Sequence, residues 1–259
     1  MCVKKGPMRA SSDPAAGFRL GSGAPHCLLL HGFTGSPAEM VYLAARLAQD
    51  GFSVAVPCLP GHGEDAGRDA ESADWLTTAR AAAAKLQPPI CVAGLSMGAL
   101  LALSLAAGRP DEIAALALLA PAVGLAEPGR TAARLARHPG FQRLLPRLPK
   151  IGGSDMRDPA ARRWNPSGRS ISTRGLAGLR SLSGEARAWA ARVRCPTLVL
   201  LAGRDRTVDN DAARALAAAI PDCELRLLGE SGHVIPLDVA RGEAADRVIA
   251  HFRRRRGPA

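Results

Sequence analysis

Short apolar runs alternate with helical patterns along most of the chain, and this alternation restricts the fold more than any other sequence feature. The runs occupy residues 27–32, 52–57, 90–95, 113–121, 197–203 and 223–230. Continuous apolar runs of this length are typical of strands that are buried on both faces of a parallel sheet. The run at 113–121, IAALALLAP, also suits a helix, because alanine and leucine favour helices. Its position after a helix ending in GRPDE favours a strand.

Helical patterns with recognisable ends lie between these runs, at residues 36–51, 72–87, 96–108, 209–221 and 239–256. The first begins with a Ser36 cap followed by Pro37 and ends at Gly51, which is the usual helix punctuation. Alternating strands and helices form βαβ units with right-handed crossovers. The sequence therefore predicts an α/β fold, with a mostly parallel central sheet flanked by helices. Hydrophobic residues make up 47% of the 259-residue chain, and we expect one domain over residues 1–259.

One long segment, residues 122–194, interrupts the alternation because it contains no apolar strand-like run. It holds several prolines and glycines and many arginines, as in HPGFQRLLPRLPKIGGSDMRDPAARRWNPSGRS. A structureless insertion of this length is uncommon in a compact domain unless it is functional. We expect a small helical cap that lies over the end of the sheet.

The charge of the chain is strongly positive, +11 with 34 Lys and Arg against 23 Asp and Glu. Such a balance suits a partner that is a nucleic acid or an anionic membrane. Aromatic residues are only 3% of the chain, so few side chains are available to stack on bases. The basic residues are also spread along the sequence, and the C-terminal RRRR run suits the end of a helix. We expect a solvated basic surface and no nucleic-acid partner.

The cysteines and the N-terminal residues favour a cytoplasmic protein. Six cysteines are present, but no CxxC pair or Cys/His cluster is typical of a metal site, and we expect neither disulfides nor a bound metal. No apolar stretch approaches the roughly 18 residues of a membrane span. Residues 1–17 contain lysines without an apolar segment behind them, so they resemble an unstructured leader more than a signal peptide.

The stretch GLSMG places Ser96 between a strand-like run and a helix-like run. Gly94 and Gly98 lie two positions before and after it. A G-x-S-x-G sequence at such a junction is typical of a nucleophile elbow, where small residues let strand and helix pack closely and the serine hydroxyl projects above the sheet. By itself the motif is weak, because Gly and Ser are common. The strand–turn–helix context makes Ser96 the candidate nucleophile.

A serine nucleophile needs a base, usually histidine, and the base needs an acid that orients it. His233, in SGHVIPLD, follows the last apolar run directly. His251 and His138 suit surface positions, and His26 precedes a strand. Asp205 follows the run at 197–203, and its competitor Asp209 suits the cap of the next helix. We therefore expect Ser96, Asp205 and His233 to act together.

An oxyanion needs hydrogen-bond donors, and the expected ones are backbone N–H groups. One belongs to Met97, the residue after the nucleophile. The other belongs to Phe33, in the glycine-rich loop HGFTGSP that follows the first long apolar run. His31 in that loop and His62 in LPGHG are expected to fix turns through hydrogen bonds.

Together the motifs HGFTGSP, LPGHG, GLSMGA, GRDRTVD and SGHVIPLD resemble the α/β-hydrolase superfamily, in its bacterial carboxylesterase and monoacylglycerol lipase branch. The likeness extends over residues 27–252. It implies cofactor-free serine ester hydrolysis with Ser96, Asp205 and His233 as the triad and Phe33 and Met97 as oxyanion donors. The implied substrates are small esters of short to medium acyl chains or monoacylglycerols, with peripheral contact to a lipid surface.

The sequence departs from that branch in two places. Ala99 replaces the usual second glycine after the elbow, and the cap holds more arginine than the branch does. Met97, Phe33, Trp164 and the cap leucines are candidates for the acyl site. An acyltransferase, a thioesterase or a carbon–carbon bond hydrolase would use the same triad. A non-catalytic basic binding protein on this scaffold is a further alternative. Haloalkane hydrolysis is not expected, because it needs a carboxylate at the elbow and this chain has Ser96 there.

Overall fold

The computed structural model describes residues 17–63, 66, 68–150, 153–165, 167–168 and 170–254. Its strands are β1 (Phe18–Leu20), β2 (His26–Leu30), β3 (Ser53–Val56), β4 (Ile90–Leu95), β5 (Ile113–Leu119), β6 (Arg147–Pro149), β7 (Ser170–Ser172), β8 (Thr197–Ala202) and β9 (Cys223–Leu228). Seven of them form one sheet in the order β1-β3-β2-β4-β5-β8-β9.

All six predicted apolar runs are strands of this sheet, and they pair in parallel. Every residue of β4 and β8 is buried, as expected for strands covered on both faces. The ambiguous run at 113–121 contains β5, which pairs with β4 and β8. The mostly parallel α/β fold is therefore confirmed.

The sequence did not predict β1, which pairs antiparallel with β3 at the edge of the sheet. A three-residue edge strand buries too little apolar surface to produce a recognisable pattern. The leader predicted for residues 1–17 lies outside the described residues except for Gly17.

The helices cover the sheet in two groups. A 3₁₀ turn at Pro37–Met40 precedes α1, and the α-helices are α1 (Val41–Gln49), α2 (Ser72–Ala84), α3 (Met97–Gly108), α4 (Gly129–Leu135), α5 (Pro139–Leu144), α6 (Pro159–Trp164), α7 (Thr173–Ala190), α8 (Asn210–Ala218) and α9 (Arg241–Arg253). α1 packs against α9, whereas α3 packs against α2 and α7. α3 is buried on nearly every side because it lies between the sheet and these helices. No helix in the described part of the chain is long and apolar enough to cross a membrane.

The expected surface position of His251 was wrong, and the segment 122–194 holds a feature that the sequence did not predict. His251 is 6% exposed, because it lies on the inner side of α9, where its Nε2 lies 3.2 Å from the carbonyl oxygen of Pro196. The segment 122–194 holds α4 to α7 but also the two-stranded ladder β6-β7, with Arg147 opposite Ser172. These strands have three residues each and remain partly exposed, so they leave no apolar run in the sequence. The described cysteines Cys27, Cys58, Cys91, Cys195 and Cys223 are not joined in disulfides.

Candidate active site

Ser96 lies at the turn between β4 and α3 with φ 55° and ψ −111°. Residues other than glycine rarely adopt positive φ, so the serine is held in a strained conformation by its surroundings. Its N–H donates to the carbonyl oxygen of Leu119 at 2.9 Å, which joins the turn to β5. A Cβ atom at Gly94 would collide with the carbonyl of Gly98, and one at Gly98 would collide with the carbonyl of Leu30. Both glycines are therefore needed for the close approach of strand and helix.

His233 and Asp205 come together at the carboxyl ends of the neighbouring strands β8 and β9. The imidazole Nδ1 of His233 lies 2.8 Å from Asp205 Oδ2. The other carboxylate oxygen, Oδ1, accepts hydrogen bonds from the N–H groups of Thr207 at 2.8 Å and Val208 at 2.9 Å. The competitor Asp209 instead caps α8, where its side chain accepts from the first N–H groups of that helix.

The electrostatics of this pair favour a charged carboxylate and a more basic imidazole. Burial opposes the charge of Asp205, but the charge of His233 and the hydrogen bonds from its imidazole and from two N–H groups lower the pKa of Asp205 below its ordinary value. Burial also opposes protonation of His233. The carboxylates of Asp205, Asp155 and Glu39 outweigh that effect and raise the pKa of His233 above its ordinary value.

The loop after β2 and the start of α3 supply unpaired N–H groups near Ser96. Met97 is the first residue of α3, so its N–H has no partner within the helix. The N–H of Phe33 donates to none of the described residues. The preceding N–H, that of Gly32, donates to Glu39 Oε2 at 3.1 Å.

His31 and His62 fix turns beside this loop, as the sequence predicts. His31 Nε2 accepts the N–H of Leu59 at 3.1 Å, and its Nδ1 donates to the carbonyl of Gly32 at 3.0 Å. Burial and the neighbouring His62 lower the pKa of His31 to about 3, so the ring is neutral at ordinary pH. His62 Nδ1 lies 2.9 Å from the carbonyl oxygen of Pro60.

A cavity of about 450 Å³ lies beside Ser96 and His233. Its apolar lining comes mainly from the segment 122–194, through Leu125, Pro128, Ala132, Leu148, Ile171, Leu176 and Leu179, with Phe33 from the loop after β2. Its polar lining includes Thr34, Glu39, Lys150, Ser154, Asp155 and Thr207. Of the residues expected at an acyl site, Phe33 and cap leucines line the cavity. Met97 is fully buried in the core and Trp164 is 53% exposed, and neither lines it.

Glu39 and Lys150 also line the cavity, although no sequence motif singled them out. Glu39 is 4% exposed, and burial raises its pKa although the charge of Lys150 acts against that shift. Burial lowers the pKa of Lys150, whose Nζ donates to Thr34 Oγ1 at 2.9 Å. The sequence feature that could have drawn attention to Glu39 is its acidic side chain within the otherwise apolar stretch PAEM at the start of a helix. In the described ranges, no group of three or more His, Cys, Asp or Glu side chains could hold a metal ion.

The chain is similar to known hydrolases in sequence and in structure. Residues 23–239 match the family described as serine aminopeptidase, S33. A thermostable monoacylglycerol lipase of Bacillus sp. (strain H-257) is 29% identical over 265 residues, which cover 97% of this chain and 98% of the relative. A pimeloyl-[acyl-carrier protein] methyl ester esterase of Chromobacterium violaceum is 30% identical over 230 residues, or 83% of this chain and 89% of the relative. A solved structure from work on the metagenome-derived lipolytic enzymes LipS and LipT superposes with a TM-score of 0.83 at 26% identity, covering 93% of this chain and 98% of that one.

Proposed function

Because the chain belongs to the α/β-hydrolase family described as serine aminopeptidase, S33, we propose that it is a serine carboxylic-ester hydrolase in which Ser96, His233 and Asp205 form the catalytic triad. One observation carries the proposal. The hydrogen-bonded pair of His233 and Asp205 lies at the cavity that Ser96 also lines. The relatives named as a lipase and an esterase support an ester as the substrate.

The proposed reaction uses the side chains in fixed roles. Ser96 Oγ attacks the ester carbonyl carbon while His233 Nε2 takes the hydroxyl proton, and Asp205 stabilises the imidazolium that forms. Collapse of the tetrahedral intermediate breaks the bond to the alcohol oxygen, which leaves with the proton of His233. Water then attacks the acyl-enzyme with His233 again as the base, which releases the acid and restores Ser96. Since each step is a proton or acyl transfer, the scheme needs no cofactor.

The proposed oxyanion hole consists of the backbone N–H groups of Phe33 and Met97. Phe33 lies in the loop after β2 and Met97 is the first residue of α3, so both N–H groups lie near Ser96. The positive end of the α3 dipole also points toward Ser96 and favours a developing negative charge there. Loss of one such donor typically costs about 3 kcal/mol of transition-state stabilisation.

The lining of the cavity contains both apolar and polar side chains, which supports a substrate with an apolar acyl chain and a polar alcohol. We assign the acyl chain to the apolar lining residues and a polar alcohol such as glycerol to Glu39, Lys150 and Ser154. Residues 122–194 are then the cap, since they supply most of the apolar wall. Short- to medium-chain esters and monoacylglycerols both suit this division.

Peripheral contact with a lipid surface is part of the proposal. Residues 128–154 contain five arginines and one lysine but no acidic residue, and Leu144 is 80% exposed while Leu135 and Leu145 are 45% and 42% exposed. Apolar side chains amid positive charge suit an anionic lipid surface. Leu144→Ser should weaken cosedimentation with phosphatidylglycerol vesicles several-fold, whereas Leu227→Ser, 49% exposed on β9, should not. Equal binding of both variants would exclude this contact.

The function is tested by hydrolysis of p-nitrophenyl esters from acetyl to palmitoyl and of 1-monoacylglycerols, with a p-nitroanilide for comparison. Activity should peak at one chain length and disappear in Ser96→Ala. Ser104→Ala, a change at another buried serine in α3, should retain it. A competing alcohol or thiol reveals an acyltransferase or thioesterase through its products. No turnover of any substrate, together with salt-sensitive binding of a polyanion, would favour a basic binding protein instead.

A further inference from the structure

Asp238 is a fully buried carboxylate that the proposed reaction does not use. It lies five positions after His233, and its side chain is 0% exposed. One oxygen, Oδ2, accepts the N–H of Gly232, the residue directly before His233, and lies 3.4 Å from the hydroxyl of Ser231. The carboxylate therefore holds the loop of the candidate base at its N-terminal flank.

The other oxygen of Asp238 binds a different part of the chain. Oδ1 accepts the N–H groups of Arg157 at 2.7 Å and Asp158 at 2.8 Å. Both residues belong to the cap segment 155–158, at the start of α6. One buried side chain thus joins the histidine loop to the cap.

The same cap segment binds the C-terminal flank of the candidate base and the loop of the candidate acid. The carbonyl oxygen of Asp155 accepts the N–H of Val234, the residue directly after His233, at 3.3 Å. The carboxylate of Asp155 accepts the N–H of Arg206 at 2.7 Å and lies 3.2 Å from the hydroxyl of Thr207. Arg206 directly follows Asp205. Residues on both sides of His233, and the residue next to Asp205, are therefore bound to cap segment 155–158 either directly or through Asp238.

We propose that Asp238 and Asp155 are positioning residues, which make the geometry of His233 and Asp205 depend on the seating of cap segment 155–158. The inference rests on the proposed function, because it assigns a role through those two residues. A cap that binds only substrate would need no hydrogen bonds to the N–H groups beside the base. Here the hydrogen bonds of two buried or nearly buried carboxylates converge on those positions, so a shift of the cap is transmitted to the imidazole.

Asp238→Asn tests this role at constant size. The carboxamide keeps one acceptor oxygen, but its NH₂ group faces the donors on the other side, either the N–H groups of Arg157 and Asp158 or the N–H of Gly232. The link between loop and cap is therefore broken on one side. We expect kcat to fall about 10- to 100-fold with KM within about threefold, since a misplaced base costs turnover more than binding. Asp209→Asn is the matched control. It removes a carboxylate that caps α8 and pairs with Arg130, outside segment 155–158, so kcat should stay within twofold of wild type.

The pH profile separates positioning from a loss of stability. The charges of Asp205, Asp155 and Glu39 raise the pKa of His233, whereas the carboxylate of Asp238 binds backbone N–H groups. If Asp238→Asn loosens the hydrogen bond between His233 and Asp205, that bond raises the pKa of His233 less and burial lowers it more effectively. The acid limb of kcat/KM then moves to lower pH. A variant that only melts earlier would keep the wild-type limb and kcat at temperatures below its transition.

Each outcome decides the inference. A wild-type kcat and pH limb in Asp238→Asn would overturn it. If that variant does not fold, Asp155→Asn decides instead: a fall of about tenfold in kcat supports the inference, and an unchanged kcat overturns it. Ser96→Ala is measured in parallel. Full activity there would overturn the proposed function itself, whereas an inactive Ser96→Ala beside a fully active Asp238→Asn would overturn the positioning role alone.

Discussion

The imidazole Nδ1 of His233 lies 2.8 Å from the carboxylate Oδ2 of Asp205, although 28 positions separate the two residues in the chain. The contact follows from the sheet. β8 and β9 are parallel neighbours, so the loops after their carboxyl ends emerge side by side. His233 thereby gains a buried carboxylate that changes its basicity, and the pH dependence of activity reports this contact.

The acid limb of kcat/KM should lie above pH 6.5, the ordinary pKa of histidine. His233 must be unprotonated to accept the Ser96 proton, and Asp205, Asp155 and Glu39 raise its pKa despite burial. In Asp205→Asn the limb should move to lower pH, because burial then meets less opposing negative charge. kcat should fall by roughly 10⁴, as for comparable triads.

The control for this prediction is Asp209→Asn, which removes the nearby carboxylate that caps α8. It should leave both kcat and the acid limb at their wild-type values. Equal effects of the two substitutions would mean that Asp205 has no special relation to the base.

Gly98→Ala should destabilise the protein by about 1–3 kcal/mol or more and abolish activity, because the new Cβ would collide with the backbone of β2 at Leu30. Backbone atoms of a central strand cannot move aside as a flexible side chain can. Gly108→Ala, at the other end of α3, meets nothing within 4 Å and should stabilise by about 0.5–1 kcal/mol. Urea unfolding of both variants measures the difference, and similar stabilities would contradict the close packing of β2 and α3 at the elbow.

Ala132→Phe should shift the acyl preference toward shorter chains, since Ala132 on α4 lines the apolar wall of the cavity. We expect kcat/KM for a decanoyl ester to fall about tenfold more than for a butyryl ester. Ala177→Phe makes the same change on α7, at a side chain that lines a different surface cleft. The ratio of the two esters should be unchanged in that control. If Ala132→Phe lowered kcat/KM equally for both esters, the acyl chain would not lie against Ala132.

Glu39→Gln should raise the melting temperature at neutral pH by a few degrees, the size of shift that about 1 kcal/mol produces in a chain of this length. Burial raises the pKa of Glu39 above its unfolded value. Such a group stabilises the fold below the unfolded pKa, and this contribution is lost as the pH rises through the folded pKa. The advantage of the variant should therefore shrink at pH 4. Calorimetry of both proteins at neutral pH and at pH 4 measures this difference. A melting temperature of Glu39→Gln equal to or below that of wild type at neutral pH would contradict the prediction.

The sheet and the candidate site could be predicted from the sequence because each depends on local patterns with a defined place in an α/β fold. β2, β4 and β8 are continuous apolar runs, and Ser96, Asp205 and His233 follow the carboxyl ends of β4, β8 and β9 within a few residues. Because these strands are parallel, the three loops meet at the end of the sheet where the strands have their carboxyl ends. The assignment of these residues to catalysis stays a prediction.

The remaining features depend on contacts between distant segments that leave no local signal. His251 resembles a surface residue beside the arginines of the C-terminus, but the packing of α9 turns it inward toward Pro196. β1 and the β6-β7 ladder are too short to show a period. Glu39, Lys150 and Asp238 become notable only in the folded chain, since their burial and their partners depend on contacts between distant segments.

Covalent labelling tests directly whether Ser96 is an activated nucleophile. The protein is treated with a fluorophosphonate, digested and analysed by peptide mass spectrometry. We expect one adduct per chain on Ser96, lost in Ser96→Ala, retained in Ser104→Ala and formed much more slowly in Asp205→Asn. An adduct on another residue, or none on a preparation that hydrolyses esters, would show that Ser96 is not the nucleophile.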